Sequence, residues 1–431
     1  MRRLLLPAIA RCLCAVAIAA LAAPGCRQAP PRPEPSALDR AAATYLELVA
    51  ALANRDPDSA SGDTAVPVAR MTARAQPLTL DEIAAEARAA ADSLRTASLA
   101  TAAAPRRDWL LDQLVAVSAR AALQGGAHLT IARELEQLFG IDHPAIDAAG
   151  LSRARARIGA LLPGRGSAAQ RLDAFEAAAI VPRDRVPAVF ERALAECRRN
   201  TATHVSLPAA DGIELRFVTA VPWSGFSTYL GEGRSRIDVN VGYPLTVDRV
   251  LDLACHEGYP GHHLLNLRRD LRARDGRPEL RALPLFSPES FATESIAASA
   301  ASLVFTDAQR LHVERDVLYP LAGLGADDAV RHVEVSRLRR QLAPAISDAL
   351  SRYLAGERDF IETGWALEEE ALMAHPRATL LFANQFRGFA LAYAWAPAGQ
   401  TDHDDDGQAP QVELWRRYDA VLNGDYRRQL R

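Results

Sequence analysis

Apolar residues recur at helical spacing along almost the whole of this chain, and at strand spacing only between His204 and Pro244. The run TLDE at 79–82 is a capping box: Thr79 can accept from the Glu82 amide while Glu82 reaches back, and Ile83, Ala87, Ala90 and Leu94 follow on one face. Similar amphipathic stretches lie at about 37–54, 106–123, 131–139, 171–180 and 186–200. In the exception, GIELRFV alternates Ile213, Leu215 and Phe217, and RIDVNVG alternates Ile237, Val239 and Val241. Helices then resume to the C-terminus, with no internal repeat. The expected fold class is therefore mainly α: a single large helical domain over 38–431, with a small β-hairpin or sheet of two or three strands. At 431 residues and 49% hydrophobic content the chain can bury one large core, and a formal charge of −3 shows no bias toward polyanions, so no nucleic-acid partner is expected.

The first 26 residues read as an export signal. Arg2 and Arg3 precede an apolar run from Leu4 to Ala23, and the run ends in APGC, which resembles a lipobox with Cys26 as the lipidated residue. RQAPPRPEPS follows, and residues 27–37 read as an extended, Pro-rich tether. This places the protein in the cell envelope with a lipid anchor to a membrane. Arg27 stands where an inner-membrane retention aspartate would, so the periplasmic side of an outer membrane is expected in a cell that has one; the alternative is simple secretion. Cys197 and Cys255 alone would remain in the folded domain, enough for one disulfide but not for a cysteine scaffold.

The strand region leads into CHEGYPGHHLLN, residues 255–266. Thr246 can cap a helix whose apolar face is Val250, Leu251 and Ala254 and which carries His256 and Glu257, the opening of the zinc-peptidase pattern H-E-x-x-H. The second histidine of that pattern is due at 260, where Pro260 stands. A proline there clashes with the His256 carbonyl and removes the turn's hydrogen bond, so the helix must open. Gly261 supplies backbone freedom, and two extra residues can return His262 or His263 to the place of the missing ligand; spacing does not choose between them. A catalytic zinc takes three protein ligands and keeps one position open, with the third ligand usually distant in sequence. In SPESFATESIAASAASLVF, Ser287 caps, Pro288 takes the first helical position, and Glu294 falls two turns in among small and apolar neighbours, where a carboxylate is costly unless paired or metal-bound. Rival third ligands are Glu289, Glu362 and the run Glu368–Glu370, the last read as a solvated face. His128, His143, His204, His312, His375 and His403 read as ordinary surface or core histidines. Cys255 and His256 point about 100° apart on a helix, so they do not form a nucleophile pair, and Cys255 reads as a packed small side chain. There is no Gly-rich phosphate loop and no G-x-S-x-G elbow.

HEGYPGHH resembles the signature of the DUF885 family, bacterial proteins whose fold is similar to the M32 thermostable carboxypeptidases. FATESIAASAASL is similar to the family's glutamate-bearing helix, usually E-G-W-A, with Ser295 and Ile296 replacing the Gly-Trp; LYPLAGLG at 318–325 and ALMAHPRATLLFANQFRGFALAYAWAP at 371–397 also resemble family segments. Together these cover about residues 200–400. The resemblance implies a gluzincin-type zinc hydrolase, a carboxypeptidase-like metallopeptidase acting on a peptide or small amide, with His256, His262 and Glu294 as ligands and Glu257 as general base. His332, Arg387 and Tyr393 are candidate oxyanion donors. Arg387, in the apolar setting of Phe386, Phe389 and Leu391, is also the candidate clamp for a substrate's terminal carboxylate. The strand Ile237–Val241 could offer an edge to an extended peptide. Two other classes fit the same residues: an envelope lipoprotein that binds peptides with little or no catalysis, and an amide or ester hydrolase of small molecules. Oligomeric state is left open.

Overall fold

A computed structural model describes residues 36–59, 77–142, 146–221, 223–373, 375–394 and 408–427. The leader, tether residues 27–35, His143 and His403 lie outside the described residues. The capping box at Thr79 is present, with the Thr79 hydroxyl accepting from the Glu82 amide at 3.2 Å and Glu82 accepting from the Thr79 amide at 2.8 Å; Ile83, Ala87 and Leu94 of the helix Leu80–Thr96 are buried. Long helices also run Ala37–Ala53, Ala104–Gln124 and Val186–Thr201. The helix expected at 171–180 is Ala168–Ala177 instead, because Ser167 and Gln170 form a capping box that starts it earlier. Most of the buried apolar side chains form one large core. A satellite cluster gathers Leu151, Ile158, Leu172, Phe175 and Leu338. No helix among the described residues is long and apolar enough to cross a membrane.

Three strands make the only sheet among the described residues: β1 (Gly212–Val218), β2 (Gly225–Gly231) and β3 (Arg234–Asn240). Their order is β1-β3-β2, with β1 parallel and β2 antiparallel to β3. Ile237 and Val239 of β3 are fully buried, whereas Asp238 faces the other way and holds Arg216 of β1 at 2.6 and 2.8 Å. This order overturns one expectation. β3 is the central strand, with both edges already hydrogen-bonded, so the segment Ile237–Val241 cannot take up a peptide; among these strands the outer edges belong to β1 and β2. β2 packs against the helices Val247–Glu257 and His262–Arg274, which carry the histidines.

A disulfide joins Cys197, on the helix Val186–Thr201, to Cys255, the residue before His256. Cys255 is thus neither a packed thiol nor a nucleophile; it ties the histidine helix to its neighbour across 58 residues of chain. In the chain-entropy account a loop of that length is closed at a cost the unfolded chain no longer recovers, worth roughly 4 kcal/mol. Replacing both cysteines by serine should lower the free energy of denaturant unfolding by about 2–4 kcal/mol, and an unchanged unfolding midpoint would contradict this role.

Candidate metal centre

The helix Val247–Glu257 starts after Thr246, but the Thr246 hydroxyl donates to the Asp248 carboxylate at 2.5 Å and does not cap an amide. Val250, Leu251, Leu253 and Ala254 are buried, which turns Glu257 inward and leaves His256 about one-seventh exposed. The helix ends at Glu257. Gly258, Tyr259, Pro260 and Gly261 link it to the next helix, which opens on His262, and the Tyr259–Pro260 peptide is cis. Gly261 crosses so close beneath the first helix that a Cβ there would stand 1.8 Å from the His256 carbonyl oxygen, so no side chain fits. Its amide donates to the Cys255 carbonyl at 3.0 Å, and the Tyr418 hydroxyl donates to the Pro260 carbonyl at 2.5 Å.

The outcome is convergence. The Nε2 atoms of His256 and His262 lie 3.2 Å apart. Glu294 comes from the helix Pro288–Ala298, which starts with Ser287 as N-cap and Pro288 at its first position and is buried almost all round. Its Oε1 stands 3.3 Å from His256 Nε2 and its Oε2 3.3 Å from His262 Nε2. Ligand atoms about 2.0–2.2 Å from a tetrahedral ion stand about 3.3–3.5 Å from one another, so these separations suit one cation between the three side chains. Oε1 of Glu294 is buried and accepts no hydrogen bond. Burial alone would raise the Glu294 carboxyl, but the charge of the two imidazoles outweighs it and holds the group well below the usual carboxylate range. Two ring nitrogens and a carboxylate, nearly dry, make a setting that a cation would stabilise. The donor set suits zinc.

Glu257 is buried, and one of its oxygens lies within 4.8 Å of a ring nitrogen from each of the two histidines. Geometrically it could be a fourth ligand. Glu294 has an oxygen 3.3 Å from each histidine nitrogen, so two carboxylates border the same centre. Gly225, the first residue of β2, lies against Glu257: a Cβ there would come 3.0 Å from its Oε1 and 2.9 Å from Leu253. The start of β2 thus borders the centre.

His263 turns away. It is fully buried, with Nδ1 2.7 Å from Ser235 Oγ and Nε2 2.7 Å from Asp211 Oδ1. Glu289 is held by Trp109 at 3.1 Å and by Arg269 at 3.1 and 3.2 Å, and Glu362 belongs to the capping box at Asp359, so neither rival ligand approaches the histidines. His332 stacks on Phe175, with centroids 3.9 Å apart, and lies near Tyr319; burial lowers its pKa, and it is a packed core histidine. Tyr393 lies beside His256: its half-exposed ring is roughly parallel to the imidazole with centroids 6.5 Å apart, and it meets Phe382 edge-on at 5.5 Å. Arg387 does not join the cluster. It donates to buried Glu134 through Nε at 2.8 Å and Nη2 at 2.7 Å, and the Gly388 amide adds a third bond to that carboxylate at 3.1 Å. Its guanidinium is committed to anchoring the segment Arg387–Ala394 that carries Tyr393, which corrects the reading of Arg387 as a free carboxylate clamp.

No family model and no curated protein matches this chain. Among solved structures, a candidate lipoprotein from Colwellia psychrerythraea is similar, with a TM-score of 0.45 and 12% identity; the match covers 81% of this chain and 66% of that one. A likeness at that level defines neither fold nor function.

A second group of charges anchors the histidine helix from below. Arg310, almost wholly buried, donates to Glu314 at 2.7 Å, to Asp252 at 2.7 Å and to the Asp248 carbonyl at 3.4 Å. One guanidinium serves three acidic residues, and Glu314 Oε2 is left buried without a hydrogen bond. Burial, reinforced by Asp248 and Asp252, outweighs Arg310 and pushes the Glu314 carboxyl up to about 7. The folded state then binds a proton that the unfolded chain has lost, so this contribution to stability is complete below the unfolded carboxyl pKa and disappears as pH rises through about 7. Glu314→Gln should remove the loss: between pH 5 and pH 8 its unfolding free energy should gain up to about 3 kcal/mol relative to the unmodified chain, measured by urea titration at each pH. Parallel pH profiles for the two proteins would show that Glu314 does not titrate there.

Proposed function

We propose that this chain is a zinc-dependent hydrolase of peptide bonds, with His256, His262 and Glu294 holding the metal and Glu257 acting as general base. The observation that carries this reading is the meeting of two imidazole nitrogens and a buried, under-bonded carboxylate at 3.2–3.3 Å with a second carboxylate beside them. This is the arrangement implied by the likeness of HEGYPGHH to the DUF885 signature and, through it, to gluzincin-type and M32 carboxypeptidase-like enzymes. Zinc in this site would supply a Lewis acid and make a water molecule acidic near neutral pH. Glu257 accepts that water's proton as it attacks a carbonyl, and can return the proton to the departing amine. Tyr393, whose ring lies beside His256, would donate a hydrogen bond to the oxygen on which charge develops. With β3 enclosed, an extended substrate is aligned by the outer edge of β2, whose first residue touches Glu257.

The leader and the disulfide both suit an exported, lipid-anchored protein of the cell envelope, since such a disulfide persists where conditions are oxidising. Substrate preference follows from the rings. Phe382, Phe386, Phe389 and Tyr393 make a connected aromatic wall on the His256 side, and Arg387 of the same segment is engaged by Glu134. An apolar side chain next to the cleaved bond suits that wall better than a terminal carboxylate does.

The purified protein should contain about one zinc per chain. His262→Ala and Glu294→Ala should each lose it, because two remaining ligands do not hold a catalytic zinc. Glu257→Gln should keep it and lose at least about a hundredfold in hydrolysis, since only proton transfer is removed. A wild-type chain that takes up less than about a tenth of an equivalent when zinc is supplied would contradict the reading.

Peptides carrying phenylalanine beside the cleaved bond should be cut at least about tenfold faster, by kcat/KM, than the same peptides with alanine. Free and amidated C-termini should be cut at similar rates. A strict requirement for the free carboxylate would restore a clamp to the site and point to a cation other than the Arg387–Glu134 pair.

A further inference from the structure

We infer that Asp211 is a positioning residue for the metal centre, holding the link between the two histidine ligands in the conformation that brings their ring nitrogens together. The inference rests on the reading of His256, His262 and Glu294 as a metal site, and adds a residue that touches none of the three.

In H-E-x-x-H the helix itself sets the distance between the histidines, because residues four apart lie on one face. Here they stand six positions apart and the helix stops between. Nothing in helical geometry fixes where His262 falls, so Gly258–Gly261 must be fixed from outside. Asp211 does this from the position just before β1. Its carboxylate is 1% exposed and takes four donors: the Tyr259 hydroxyl at 2.5 Å, His263 Nε2 at 2.7 Å, and Arg198 Nε and Nη2 at 3.0 and 2.9 Å. Tyr259 lies within the link, and His263 follows His262 directly. One carboxylate therefore grips the chain on both sides of the ligand.

The grip is itself braced. Ser235 of β3 meets the other ring nitrogen of His263 at 2.7 Å, so with Nε2–H donating to Asp211, Nδ1 accepts the serine hydroxyl and the ring cannot swing. The Tyr259 and His263 rings pack edge to face at 4.9 Å. Arg198, on the helix bearing Cys197, balances the buried charge. The sheet, the disulfide-linked helix and the link are thus joined at a single carboxylate. Serine, histidine and aspartate in a row resemble a nucleophile triad, but Ser235 is 1% and His263 0% exposed, so no substrate reaches them.

The test is zinc affinity, measured on the metal-stripped full chain by competition with a chromophoric chelator. Asp211→Asn keeps the shape and removes the charge and part of the accepting capacity, and Tyr259→Phe removes one hydroxyl from the grip. Asp238→Asn is the control. It breaks a comparably buried ion pair with Arg216 on the sheet face opposite Ile237 and Val239, away from the histidine helices. Asp211→Asn should weaken zinc binding about 10- to 100-fold, the range seen when groups that orient metal ligands are removed, and Tyr259→Phe should weaken it by a smaller factor. Asp238→Asn should bind as the wild type does. Equal affinity in wild type and Asp211→Asn would overturn the inference while leaving the metal site standing, and so would an equal loss in Asp238→Asn, which would reduce the effect to general loosening. If Asp211→Asn fails to fold, Tyr259→Phe decides: unchanged zinc affinity there overturns the inference. A wild-type chain that binds no zinc removes the metal reading first and this inference with it.

Discussion

Four residues that are not helical, Gly258 to Gly261, govern the arrangement around the candidate centre. Pro260 cannot continue the helix that carries His256, and Gly261 passes too near the His256 carbonyl to bear a side chain. Once the helix has ended, every later ligand position depends on how this link is held. The molecule holds it at each residue: Gly258 packs beneath Leu194, the Tyr259 hydroxyl reaches Asp211, the Pro260 carbonyl accepts from Tyr418, and the Gly261 amide returns to Cys255. A regular H-E-x-x-H helix builds in the spacing of its histidines. This chain replaces that local rule with contacts drawn from residues 194, 211, 255 and 418, and the replacement ties the centre to the tertiary fold.

Buried charge follows the same logic on a larger scale. The histidine helix carries Asp248 and Asp252, answered by Arg310, and at its other end His256, which with His262 faces the Glu294 carboxylate. Partnered carboxylates such as Glu134, Glu289 and Asp211 each have arginine nitrogens within 3.2 Å. Glu294 instead lies between two imidazoles, and its buried Oε1 accepts no hydrogen bond. In a chain whose 50 basic residues are all arginine, burying a carboxylate among imidazoles instead is the contrast that marks the site.

Some of this could be read in the sequence, for definite reasons. Pro260 announces a helix end by sterics alone, and Ser287-Pro288 announces a helix start, which puts Glu294 two turns into that helix. The choice of His262 over His263 could not, since both follow Gly261 and only the start of the second helix separates their directions; it came from the family likeness. β2 was illegible because it runs inside out: Ser227 and Tyr229 face inward while Leu230 is exposed, so no apolar alternation marks it. The central place of β3 was hidden for another reason. Period shows that a segment is a strand but not which strands flank it. Asp211 looks like an ordinary turn residue in AADGIE, and Arg387 looked free because its partner, Glu134, stands 253 residues earlier in the chain. Long-range pairing of this kind leaves no local pattern.

The central claim is that one cation sits between two imidazoles and a carboxylate. X-ray absorption at the zinc edge of the zinc-loaded protein reads that donor set without reference to any substrate. The account predicts a first shell of nitrogen and oxygen near 2.0–2.1 Å, with multiple scattering from two imidazoles. A sulfur shell near 2.3 Å, or an all-oxygen shell without imidazole scattering, would contradict it.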